Sequence, residues 1–494
     1  MIEFNKSLPR CRRQVEAVLT ATVFLALAGC APSNDPATSQ RDAALSIGYG
    51  ENAEVGIQQA VRNIALEGLV RIDRDGRPKP WLAEQWTVSP DGLTWRIALR
   101  PGATFHDGQP ATAQAVSDIV ARDLPEYVGS AFDDVQRIQA RAPHELEFLL
   151  RRRSRFLLEG LDLPIQQQRG ETPVGTGPYS VESRSPSEVE MRASSSYYGG
   201  KPFIDRIVIR SYDSVRSAWA DMLRGQVDML YEIGVDALDS LTLSTQAKTF
   251  TLQRPYAFLV LLNVRNSKLR DKVLRRALNA AIDRPALVAE ALDNHGTPAD
   301  GPVWPHHWSY SSELARFGFQ PTRVTRGNDV LQLRCLILED QAHERIGLTI
   351  QRQLRPVGVE LTFEQVTPGQ FVARWEAGDF EAALGDYRMG PSLLRQYQVW
   401  YSGAPLNSGH FSSTHVDGAL NRIRDAPDDA AYKAGVADFQ RAIVDDPPAI
   451  FLAWGERSRA VSTRFEVHAE PGRDIMSTLR LWRPVADGRM ISPN

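Results

Sequence analysis

The chain has 494 residues, 43% of them hydrophobic and 24% charged, and a formal net charge of −3. Such a length and composition describe a globular protein of two or three domains. A mildly acidic chain without a basic run is a poor nucleic-acid binder, and past Ala28 no apolar run reaches the about 20 residues that a membrane span needs.

Lys6, Arg10, Arg12 and Arg13 precede an apolar run from Ala17 to Ala28, the length of a signal-peptide core. Leu27-Ala28-Gly29-Cys30 then resembles a bacterial lipobox. It implies a lipoprotein signal peptide over 1–29 and acylation of Cys30, because several acyl chains hold a soluble domain on a bilayer without spanning it. The segment 30–44 comprises Cys30 and small, polar, Pro-containing residues, and reads as a flexible tether. Of the three cysteines, Cys11 leaves with the signal, and Cys335, in the apolar stretch LQLRCLILED, reads as a buried thiol.

Beyond the tether, LSIGYG (45–50) reads as a strand, and Ile57, Val61, Ile64, Ala65 and Leu69 recur at near-helical spacing. Pro90-Asp91-Gly92 is a turn between strands. After it Trp95, Ile97 and Leu99 alternate with polar neighbours as in a half-buried strand. Asp107-Gly108 makes a second turn, and Thr112 is placed to cap a helix. PVGTGPYSV and GGKPFIDRIVIRSY each read as a turn feeding a strand, and SAWADMLRGQVDML as helix, turn and strand. FLVLLNVRN reads as a strand buried on both faces. DKVLRRALNAAIDRPALVAEAL reads as two helices, with Pro285 in the first turn of the second. The later half continues the alternation: LQLRCLIL and VELTFEQV as strands, AHERIGLTIQRQLRPVG and AAYKAGVADFQRAIVDD as helices, AIFLAW as a strand. This pattern predicts α/β lobes with helices packed on sheets.

Several stretches together resemble the family 5 extracellular solute-binding proteins, the peptide, oligopeptide and nickel receptors of ABC importers. Glu67-Gly68-Leu69, Leu82-Ala83-Glu84, Trp86, Ser89 to Leu93, Arg100 to Gly102 and Phe105 to Gly108 match that family's landmarks in order. Gly175-Thr176-Gly177-Pro178-Tyr179, Tyr198 to Pro202, Ile204-Asp205 and Gly225 to Asp228 continue the match, followed by Asn263 and the helix running to Arg284. The chain departs from the pattern between Tyr310 and Asp329, where the usual helix is shortened or absent, and again around 385–392.

The resemblance implies an α/β, two-lobed periplasmic-binding-protein fold (type II, the large peptide-binding subclass) with hinge crossovers and a ligand cleft. The first lobe would span 45–258, with 466–494 returning to it, and the second 259–465. The chain would cross near Tyr256 to Asn263 and return near Trp454 to Phe465. A solute, a peptide by this resemblance, would be captured between the lobes and delivered to ABC transporter permease subunits by a monomeric, lipid-anchored protein of the periplasmic space. Candidate ligand-binding residues are Glu51, Tyr231, Glu232, Tyr256, Asn263, Trp304, Asp386, Tyr387, Arg388, Trp400 and His410, since aromatics bury area in such clefts at small entropic cost. Peptide receptors of the family often carry an acid near 386 that pairs with the peptide's amino terminus. The stretch is shorter here, so the resemblance leaves open whether Asp386 is that acid, while Arg388 favours a carboxylate by bidentate pairing.

Two other classes compete with this reading. An enzyme finds no support: G-x-S-x-G, H-E-x-x-H and P-loop patterns are missing from the sequence, and no cofactor is expected. His306-His307 and His410/His415 lack the carboxylate or cysteine spacing of a metal site. The resemblance leaves a non-peptide solute, an anionic small molecule or a nickel complex, as the alternative ligand. A sensory lipoprotein on the same fold is the remaining alternative.

Overall fold

Strands Ala247–Leu262 and Ala449–Ser462 run antiparallel through the middle of one large mixed sheet in the computed structural model. The structure describes residues 43–490 apart from 51–52, 169–171, 235–237, 239–240, 315, 325–328 and 487–488. Both long strands are apolar on alternate faces: Ala257, Leu259 and Leu261 enter one core cluster, and Val260 and Leu262 another. Their ladder is interrupted between Gln253 and Ala257. Pro255 has no N–H to give to a ladder, and the strand bulges there.

On one side of the bulge, 247–253 pair with 456–462; on the other, 257–261 pair with 449–454. The first half of the sheet continues through Met229–Ile233, Ala44–Gly50, Arg206–Tyr212, Glu188–Ala193 and Tyr179–Arg184. The second half continues through Ala382–Arg388, Leu331–Leu338 and Val359–Val366. In that half Leu331–Leu338 is parallel to both neighbours, and parallel strands need long crossovers. Helices Gln341–Leu354 and Pro368–Ala377 supply them. The chain therefore passes between the two halves twice, with the break centred on 254–256, at the near edge of the predicted first crossover.

A separate antiparallel sheet, in the order Ala83–Val88, Thr94–Leu99, Glu145–Leu150, Val135–Ala142, carries helix Ala113–Val128. The predicted turn at 90–92 is present. Asp91 Oδ1 accepts from Ser89 Oγ at 2.5 Å and Leu93 N at 2.9 Å, and Gly92 takes φ +75°. Thr112 caps the helix, accepting from Ala115 N at 3.3 Å. Asp283 caps Arg284–Ala291, with Pro285 in its first turn. The described residues between Tyr310 and Asp329 hold no helix.

The cores divide unequally. Leu45, Ile47, Tyr179, Ile209 and Trp482 form the core of the first half. Trp95, Phe148 and Phe156 of the small-sheet module join Tyr397, Trp400, Phe439 and Trp454 of the second half in one continuous cluster. Residues 69–165 thus share their apolar core with the 257–454 part of the molecule, although the resemblance groups them with the first lobe. Among the described residues no helix is long and apolar enough to cross a membrane. The predicted signal and the tether up to Asp42, Cys30 included, lie outside the described residues.

Candidate ligand-binding site

The bulge at 254–256 gathers charge. Met389 N and Gly390 N both donate to Pro255 O at 3.1 Å, tying the end of strand Ala382–Arg388 to it. In register, Tyr256 lies opposite Arg388 and Phe258 opposite Asp386. Arg254 Nη2 is 3.4 Å from Asp386, and its guanidinium sits 4.4 Å over the Tyr256 ring. Arg388 Nη2 is 3.5 Å from Asp162, which also accepts from Tyr127 Oη at 2.8 Å and lies 3.8 Å from Arg395. Arg395 donates to Tyr127 Oη at 2.6 Å and stacks 4.6 Å over that ring. Asp162 and Tyr127 come from the small-sheet module, so this network joins it to the crossover.

Further back along the same strands, Glu232 is 3.4 Å from Arg457 Nε. Tyr231 is buried, 5.1 Å from the Tyr49 ring and beneath the Arg459 guanidinium at 4.0 Å. Arg459 is fully buried, and such a charge persists only when paired. Asp474 pairs with it, and Tyr231 O accepts from it. On the flank, Trp304 packs edge-on to Trp454 at 4.9 Å and donates to Arg74 O at 2.9 Å. His306 Nε2 lies 2.8 Å from Arg74 Nη2 and 2.6 Å from Gln253 Oε1. Burial, and then Arg74, lower the pKa of His306; burial, and then Arg77, bring that of His307 down to about 3. Both side chains are therefore neutral at pH 7.

The model of the bacterial extracellular solute-binding proteins, family 5, matches residues 77–405. The chain belongs to that family. The oligopeptide-binding protein AppA of Bacillus subtilis (strain 168) is 22% identical over 475 residues, covering 85% of this chain and 87% of AppA. NikZ from Campylobacter jejuni, solved in complex with Ni(L-His), superposes with a TM-score of 0.77 at 20% identity, over 89% of this chain and 99% of NikZ. The binding protein AgaA from A.tumefacien R10, solved in complex with agropinic acid, gives 0.76 at 18% identity, over 90% and 99%. This family 5 protein thus has the two-lobed fold of ABC-importer solute receptors, which work outside the cytoplasm and are not enzymes.

Against that fold the predicted residues separate. Tyr231, Glu232, Tyr256, Trp304, Asp386, Tyr387 and Arg388 lie along the crossovers. Tyr387 turns into the core, 6.3 Å from Trp375. Asn263, Trp400 and His410 do not join the group. Asn263 is seven residues past the bulge, about 23 Å of extended strand, where its amide donates to Gly378 O and Phe380 O at 3.0 Å. His410 is in the same corner, next to Gly378, with φ +55°. Trp400 is 1% exposed and gives its N–H to Gln396 Oε1 at 2.8 Å, a core tryptophan with its polar atom satisfied. Glu51 lies outside the described residues. Arg254, Asp162, Tyr127, Arg395 and Arg457 are missed by the sequence reading. The one local signal is the Arg-Pro-Tyr interruption of an otherwise regular strand.

Proposed function

We propose that this protein is a lipid-anchored extracytoplasmic receptor that captures a small solute, of the peptide class, between its lobes and presents it to an ABC permease. The signal would occupy 1–29, with acylation at Cys30 and a tether over 30–44. The lobes would be 45–258 with 466–494, and 259–465. The observation that carries the reading is the pair of crossover strands, broken at 254–256 and edged there by charged and aromatic side chains from three parts of the chain. A solute touching both lobes binds the closed arrangement better and so shifts the hinge equilibrium. The solutes named for relatives run from oligopeptides to Ni(L-His) and agropinic acid, so the fold accommodates the non-peptide alternative as well.

The test is to purify the full chain from a bacterial envelope in detergent, denature it and identify the released small molecule by mass spectrometry. Short peptides are the expected result; one non-peptide species would replace the peptide assignment. Cys30→Ala protein with its signal cleaved should move from the membrane to the soluble fraction, and continued membrane association of that cleaved form would refute the anchor. Small-angle scattering should show a more compact protein once the identified solute is added.

A further inference from the structure

One seam of the molecule carries more cations than acids. Strand Val70–Ile72 pairs antiparallel with Pro78–Pro80, and the register sets Arg71 directly opposite Lys79. Like charges so placed repel. The facing wall is the carboxy-terminal segment that carries Glu470, Arg473 and Arg480. Arg473 crosses the seam: its Nε and Nη2 stand 3.2 and 3.1 Å from Asp73 Oδ1, and its Nη1 2.6 Å from Glu470 Oε2. One arginine thus takes both carboxylates. Among the described residues Arg71, Lys79 and Arg480 have no ion pair, and Arg480 donates to a backbone carbonyl, Gly199 O at 3.0 Å. Arg71 Nε is buried and has no hydrogen-bond acceptor; a buried donor of this kind calls for one. The charges on the two walls are Arg71, Lys79, Arg473 and Arg480 against Asp73 and Glu470, a positive excess of two. The next charges out, Arg74, Arg100 and the buried Glu67, do not lower that excess, and Arg77 is matched by Asp75. Burial, and then Arg473, lower the pKa of Arg71.

We propose that Arg71, Lys79 and Arg480, with Arg473 joining the two walls, seat a phosphate group, carried either by free phosphate or by the phosphodiester of a lipid headgroup. Guanidinium forks match phosphate oxygens, and a lysine binds the same group as a point charge. Phosphate offers oxygens to several separate donors at once and offsets the positive excess. The seat uses none of the crossover residues, so it stands apart from solute capture.

Isothermal titration of the full chain in non-ionic detergent, at constant ionic strength with chloride as background anion, would use two probes. One is inorganic phosphate; the other is glycerophosphoglycerol, a phosphodiester headgroup without acyl chains. At least one probe should bind with a Kd of about 1 mM or tighter. The double variant Arg71→Gln/Arg480→Gln should weaken that binding by about tenfold or more. Lys79→Gln, at an exposed position, should weaken it about threefold, and it serves if the double variant does not fold. Arg224→Gln, which removes an exposed arginine elsewhere on the surface, should leave it unchanged. Tighter binding of inorganic phosphate assigns the seat to the free anion, and tighter binding of the diester to a lipid headgroup; both sustain the proposal. No binding of either probe would overturn it. So would seam variants that bind as the native chain does, or an equal loss in Arg224→Gln.

Discussion

Glu67 and Glu159 flank the small-sheet module, and each is a buried carboxylate that gathers several donors. Glu67 accepts from Thr176 Oγ1 at 3.0 Å, Tyr197 Oη at 2.6 Å and Tyr198 Oη at 3.1 Å, and so fastens the module to the first half. Glu159 accepts from Ser392 Oγ at 2.6 Å, Leu394 N at 2.9 Å and Tyr432 Oη at 2.9 Å, and so fastens it to the second half. Burial raises the pKa of both carboxyls, against the hydrogen bonds that favour ionisation; Glu67 reaches about 7. The same chemistry thus secures one module to two bodies. The ties differ in what accompanies them: the Glu159 side also carries the large shared apolar cluster, and the Glu67 side rests more on its polar contacts.

That difference can be broken experimentally. The largest effect is expected from Glu159→Ala, which strands three donors and opens a cavity. It should cost on the order of 4 kcal/mol, measured by denaturant unfolding. A loss under about 1 kcal/mol would show that the apolar cluster alone holds that side. The second prediction concerns pH. A carboxyl whose pKa rises from 4.5 unfolded to about 7 folded binds more protons in the native state across that interval. Its stabilisation is complete below pH 4.5 and is lost as the pH rises through 7, about 3 kcal/mol in all. Glu67→Gln should remove that part of the pH dependence in thermal unfolding between pH 4.5 and 8; an unchanged slope would assign the dependence elsewhere. Glu67→Ala should cost about 2–3 kcal/mol, less than Glu159→Ala, because Tyr197 and Tyr198 are half-buried and regain water. Smallest is Tyr197→Phe, which deletes one of the hydrogen bonds to Glu67 and should cost about 1 kcal/mol, with the Glu67 pKa rising further.

The two ties were unequally legible. Glu67 opens one matched motif, and Thr176 and Tyr198 lie in two others. The glycines of that second motif are forced by close backbone approach: a Cβ at Gly175 would fall 2.5 Å from Ala65 O, and one at Gly177 2.6 Å from Ile64 O. Such constraints leave marks in the sequence. Glu159 and its donors carry none, since the partners lie more than 230 residues away and a serine, a backbone amide and a tyrosine form no pattern. The arginine cluster was half legible: Arg388 and Asp386 stand in the altered 385–392 stretch, while Arg254 and Asp162 meet them only in space. Asn263, Trp400 and His410 were drawn toward the cleft by residue type. Residue type does not tell a tryptophan lining a pocket from one that closes a core.

By itself the sequence determined the elements and the family: strand and helix periods, the Asp91-Gly92 turn, the caps at Thr112 and Asp283, and motifs dense enough to imply the fold. These depend on neighbours within a few residues, where backbone sterics and local hydrogen bonds act. Only the tertiary structure decided which half the small-sheet module shares its core with, and which acid pairs with which arginine. Those properties arise from burial and charge among residues brought together from distant parts of the chain, and a one-dimensional pattern carries no record of such distances.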